Sequence, residues 1–247
     1  MESLAMVLLA VFAGGYLVLA GADVGVGMLL PWLGSDQRER RVVIASFAPF
    51  FLGNEVWLVA SAGLVAGAFP GLEHRLLEEL YPLVVVLLIG WVVRDMGLWL
   101  RGRVDASGWR AGCDGAVVAG SWALALGWGS LLGSLLGGGG VNAGSVLGLP
   151  LAAVFAWHGA GFARLRLAGE LAVRAARGRG RYGVSGAVLV VALVVAGSRL
   201  PWSEVVAEGG GLSLTAVSAV VLLPLLVASQ ALVWRTFWGR VDSPSYL

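Results

Sequence analysis

Residues 42–69 read VVIASFAPFFLGNEVWLVASAGLVAGAF, an apolar run whose strongly polar members are Asn54 and Glu55. A bilayer core is crossed by ~20 mostly apolar residues in a helix, so this run is a membrane span with an amide and a carboxylate near its middle. An acidic side chain at the centre of a span costs ~2.5–3.5 kcal/mol. Something elsewhere in the chain must offset that cost or make use of it.

Working outward, further apolar runs lie at roughly 4–31, 79–100, 113–136, 146–165, 183–199 and 212–234, giving seven spans with 43–69 as the second. The chain of 247 residues is 58% hydrophobic and 13% charged, with a mean hydropathy of +0.86. Those values exclude an ordinary soluble domain. The expected fold is an all-α polytopic membrane protein, one integral-membrane unit over 1–247, with a four-helix first half at about 1–137 and a second half at about 145–247. The first run lacks a basic leader and a cleavage site, so it reads as a retained span.

The basic side chains other than His are all Arg, and they gather in short gaps: "GSDQRERR", "RGRVDASGWR", "RLRLAGELAVRAARGRGR" and the tail "RTFWGRVDSPSYL". The intervening gaps "PGLEHRLLEE", "GGGGVNAG" and "SRLPWSEVVAEGGG" hold few. Arg-rich loops stay cytoplasmic, which places the N-terminus outside and the C-terminus inside. The net charge of +2 reflects this pattern and not a nucleic-acid surface, for which a clustered basic face on a soluble fold is needed. Cys113 is the one cysteine, and no Cys/His spacing suits a metal. Small residues four apart, Gly63/Gly67 and Gly129/Gly133/Gly137, are expected to let helix backbones approach closely in lipid.

At 1.5 Å per residue, Asp23 lies ~15 Å from the cytoplasmic end of the first span, and Asn54 and Glu55 lie ~15–18 Å into the second. Arg94 and Asp95 fall ~10 Å from the end of the third span, Asp114 opens the fourth, and His158 lies ~10 Å from the end of the fifth. Ionisable groups thus converge on one half of the bundle. Such groups pair, line water or carry protons. The expected arrangement has Arg94 shared between Asp23 and Glu55, leaving one acid short of a cation. Asp95, Arg101 and Asp114 are expected to reach headgroups, and His158 to be a hydrogen-bonded core histidine. His74 is read as solvated in an outer loop.

Several motifs carry a family resemblance: "GADVGVGMLLPWLG" at 21–34, "RERR" at 38–41, "GNEVWLVASAGLVAGAFP" at 53–70 and "VVRDMG" at 92–97. It continues through "WRAGCDGAVVAGSWALALGWG" at 109–129, "HGAGFARLRLAGELAVRA" at 158–175 and "LLPLLVASQALVWRTFWGRV" at 222–241. In this order they resemble subunit II of the cytochrome bd quinol oxidases. The resemblance implies a haem-free partner of a subunit I that carries haem b, haem d and the quinol site, in a bacterial plasma membrane. There oxygen is reduced to water with protons from the cytoplasm. It further implies that Asp23 and Arg94 support the haem-bearing core and that Trp57 lies near a path for oxygen or protons. Small accessory membrane subunits and membrane lipid are the other expected partners.

Two departures stand out. Where the family reads W-D before G-N, this chain has Phe51-Leu52, so Glu55 is the candidate substitute for that acid. The family also carries two more spans between the sixth and the last. Competing readings are a small-solute or ion transporter, since polar residues inside a Gly-rich bundle also suit a transport site, and a non-catalytic assembly subunit of the oxidase.

Overall fold

A computed structural model describes residues 1–207 and 209–244, which leaves Glu208 of the sixth gap and Ser245–Leu247 of the tail outside the described residues. The long helices are α1 (Glu2–Met28), α3 (Gln37–Ala68), α5 (Tyr81–Leu100), α6 (Ser107–Leu136), α7 (Gly148–Arg166), α9 (Tyr182–Gly197) and α11 (Gly210–Thr236). Short helices join them: α2 (Leu30–Leu33), α4 (Pro70–His74), α8 (Gly169–Arg177) and α10 (Trp202–Val205), with a π-turn at Arg75–Glu79 and a 3-10 turn at Ala143–Leu147.

Each expected span corresponds to a helix, and the differences lie at the ends. Among the described residues, six helical segments are long and apolar enough to cross a bilayer singly, the fifth being α7 together with the 3-10 turn before it; α9, of 16 residues, continues α8 across a bend of 47°. The second span begins at Gln37 instead of 43, because the Asp36 carboxylate accepts a hydrogen bond from the Glu39 backbone N–H at 2.8 Å and caps α3. It ends where Pro70 follows Phe69, since proline disfavours a helical residue before it. Two segments read as loops are partly helical. "PGLEHRLLEE" forms α4 and the π-turn, and "GELAVRAAR" forms α8, whose Leu171 and Ala175 are buried.

Glycine sets the closest crossings. A Cβ on Gly25 would collide with the backbone of Phe155 and Gly159, and one on Gly159 with Gly25, so α1 and α7 meet backbone to backbone. Gly90 and Gly120 do the same for α5 and α6, and Gly129 and Gly133 seat α6 against Gly148 and Gly144. The expected stripe on α6 is therefore a contact surface. Gly63 differs: a Cβ there would have no atom within 4 Å, while Gly67 abuts Thr215 of α11. Close backbone approach recovers dispersion energy that lipid cannot supply by hydrophobic exclusion.

Candidate functional site

Where α3 packs between α1 and α11 and its side chains reach α5, Asp23, Asn54, Glu55, Arg94, Asp95 and Gln230 gather. Asp23 of α1 is fully buried, and its Oδ2 accepts from Asn54 Nδ2 of α3 at 2.7 Å. The same amide nitrogen donates to the Leu19 carbonyl at 3.2 Å, which fixes its orientation. That leaves Asn54 Oδ1 to accept from Gln230 Nε2 of α11 at 2.9 Å. Asp23 Oδ1 and Gln230 Oε1 are buried with no hydrogen-bond partner among the described residues.

One residue along α3, Glu55 points to the other side. Its Oε1 accepts from Trp91 Nε1 at 2.8 Å and stands 3.6 Å from Arg94 Nη1 of α5. Arg94 is 3% exposed and donates to Asp95 Oδ1 at 3.0 Å, while its guanidinium lies about 6 Å from the ring centres of Phe47 and Phe51. A buried guanidinium between two carboxylates and two aromatic rings is held by charge and by ring quadrupoles together.

This corrects the expected pairing. Arg94 is shared by Glu55 and Asp95, whereas Asp23 is bound by the amide of Asn54. The reason is the helix period: Asn54 and Glu55 are ~100° apart on α3, so one meets α1 and the other α5. Asp114 and Arg101 also depart from the expected headgroup position. They form a buried ion pair at 2.6 Å, each 3% exposed in its side chain, closed over by Arg40 and Gln37 from the first turns of α3. Starting α3 at Gln37 is what brings those caps to them. His158 is buried; Nε2 donates to the Val18 carbonyl at 2.8 Å, leaving Nδ1 to accept the Ser185 hydroxyl at 2.8 Å, and the ring stacks on Tyr182. His74 is exposed, with its Nδ1 3.2 Å from Glu78 Oε1.

Trp57 is buried against Gly15 of α1, where no side chain could fit, and edge-on to Phe12. Leu52, at the position of the missing acid, is 52% exposed. Neither Gln230 nor Trp91 was expected from the sequence. Gln230 had a signal, as the one carboxamide in the run 212–234; a tryptophan in an apolar helix carries none.

The fold and this buried cluster define a helical membrane protein organised around three carboxyls and one guanidinium. The sequence profile of the family described as cytochrome bd terminal oxidase subunit II matches residues 1–241, and the chain belongs to that family. It is 37% identical over 121 residues to a Bacillus subtilis protein named cytochrome bd ubiquinol oxidase subunit 2, covering 49% of this chain and 36% of that one. With the Escherichia coli K12 cytochrome bd-I ubiquinol oxidase subunit 2 the identity is 34% over 124 residues, covering 50% and 33%. A Haemophilus influenzae protein named probable cytochrome oxidase subunit 2 is 35% identical over 132 residues, covering 53% and 35%. The matched segments span about a third of the length of these relatives.

Haem, which the family implies for the complex, can be tested against this chain's own donors. Both nitrogens of His158 are engaged within the helix packing, and His74 sits outside the long helices. These two histidines do not fit axial ligation of a buried haem.

Proposed function

We propose that the chain is the haem-free subunit II of a quinol:oxygen oxidoreductase, pairing with a subunit I that carries the haems and the quinol site. In this reading it supports assembly of that partner and passes protons toward it from the cytoplasm. The observation that carries the proton role is charge arithmetic: Glu55 and Asp95 share one buried cation, Arg94, and the third buried carboxyl, Asp23, has the neutral amide of Asn54 as its partner. Ionising all three in a low-dielectric site would strand net negative charge, which is costly enough that such sites hold protons instead. Glu55 and Asp95 are the accessible members, 13% and 19% exposed in their side chains, and Asp23 is the sealed one. Protons enter through the first two and are stored at the third.

Glu55→Gln keeps the size of the side chain and a hydrogen-bonding oxygen for Trp91, but cannot carry a proton. In the intact complex, quinol-oxidase turnover should fall several-fold with haem content unchanged. Wild-type turnover in that variant would mean that protons reach the partner without this chain, leaving it an assembly subunit.

A further inference from the structure

The segment from Arg164 to Arg181 holds six arginines, at 164, 166, 174, 177, 179 and 181, against one acid, Glu170. The remainder of a chain of net charge +2 is therefore net negative, so this one segment carries the positive end of the molecule. The fold uses two of the six internally. Arg166 is buried over the Phe50 ring and donates to the Ser46 and Gly239 carbonyls, and Arg174 pairs with Glu39 at 2.7 Å and donates to the Leu33 carbonyl. The other four, Arg164, Arg177, Arg179 and Arg181, are exposed, and no carboxylate lies within 4 Å of them among the described residues.

The four are brought together by the way α8 folds back. Helix α7 ends at Arg166, the chain reverses, and α8 returns along α7 before the bend into α9. The turn after α8 seats on α7: Gly180 abuts the backbone of Ala160 and Gly161, Gly178 abuts Ala160, and the Arg179 carbonyl accepts from Trp157 Nε1 at 3.0 Å. Arg177, Arg179 and Arg181 thus stand beside α7 one turn from Arg164. Trp32, 42% exposed, reaches the same turn from α2.

The level of this patch follows from α9. Its 16 residues give ~24 Å at 1.5 Å per residue, slightly less than the ~30 Å hydrocarbon core. With the charged helix α8 outside the hydrocarbon and α9 as the crossing segment, that length places Arg181 at the hydrocarbon boundary, and the indoles of Trp32 and Trp157 flank the patch as they do at membrane interfaces. A cluster of guanidiniums at that depth faces headgroups and not bulk water. From this we infer that the turn 177–181, with Arg164, binds the phosphodiester headgroup of an anionic glycerophospholipid such as phosphatidylglycerol. Guanidinium forks match phosphate oxygens two at a time, and the acyl chains would lie along the exposed apolar side chains Val184, Val188 and Val191 of α9.

The test uses the protein with its copurifying partner, reconstituted in phosphatidylcholine bilayers with spin-labelled phosphatidylglycerol or phosphatidylcholine as reporter. Wild type should immobilise the anionic probe in preference to the zwitterionic one. Each guanidinium removed should lower that preference about fivefold, so Arg177→Gln with Arg181→Gln should nearly abolish it. The equal charge change Arg103→Gln with Arg110→Gln, at the junction of α5 and α6, should leave it intact. Arg179→Gly supplies a variant that keeps the backbone, because Arg179 has φ of 50° and glycine adopts that region freely. It should give a partial loss. Equal preference in wild type and both patch variants, or an equal loss in the control pair, overturns the inference. So does full competition by millimolar inorganic phosphate, which would mark a soluble-phosphate site. The outcome is independent of whether Glu55 carries protons.

Discussion

At the scale of single residues, Arg94 bears the largest consequence. It is the cation between Glu55 and Asp95, and removing one partner of a buried charge set typically costs ~3–5 kcal/mol. Arg94→Ala should therefore lower both the thermal stability of the complex and the haem recovered with it far more than Asp23→Asn, which preserves shape and keeps Asn54 a partner. Detergent-extracted haem content ranks the two, and equal losses would contradict the pairing. Gln230 offers a second case. Its amide is the donor that satisfies Asn54 Oδ1, so Gln230→Leu leaves a buried acceptor unpaired at ~1–3 kcal/mol. A protonated Gln230→Glu side chain can still donate there. Thermal unfolding should show the leucine variant below wild type and the glutamate variant between them.

At the scale of helices, the α1–α7 crossing is the tightest joint. Gly159→Ala places a Cβ into the Gly25 backbone, and neither helix can yield without opening the contacts of Asp23 and His158 on either side. It should destabilise by ~1–3 kcal/mol or more, as overpacking does. Gly63→Ala has open space and a gain in helix propensity of up to ~1 kcal/mol, so its unfolding temperature should match or exceed wild type. Both lie in apolar helices and look alike in the sequence. Sequence spacing marked Gly63/Gly67 and Gly129/Gly133/Gly137 by the same rule, yet a Cβ on Gly63 would meet nothing within 4 Å and Gly133 lies against Gly144. Spacing identifies a face of a helix, and the partner that face meets is decided by how all the helices pack.

At the scale of the whole molecule, the Arg distribution predicts an orientation. The Arg-rich gaps and the tail alternate with Arg-poor ones, and that bias retains basic loops in the cytoplasm. An alkaline phosphatase fusion should be active when joined in the gap after α4 and inactive when joined after Arg103 or Val241. The opposite pattern would invert the molecule and remove the cytoplasmic side from which protons are proposed to reach Glu55 and Asp95.

Hydropathy and charge spacing by themselves determined that the chain is a helical membrane protein, roughly where its spans lie and which ionisable residues sit inside them, because the cost of burying polar groups in hydrocarbon is large enough to leave its mark on composition along the chain. They could not determine which of those residues meet. Asn54 and Glu55 are neighbours in sequence and serve different helices, Asp23 binds an amide instead of Arg94, and Gln230 joins from 176 positions away. Asp114 is sealed by a helical turn that begins ahead of the apolar run. These pairings depend on rotation about each helix axis and on the glycine contacts that set helix separation, and those are properties of the packed bundle, in which a rotation of ~100° per residue turns adjacent side chains toward different partners.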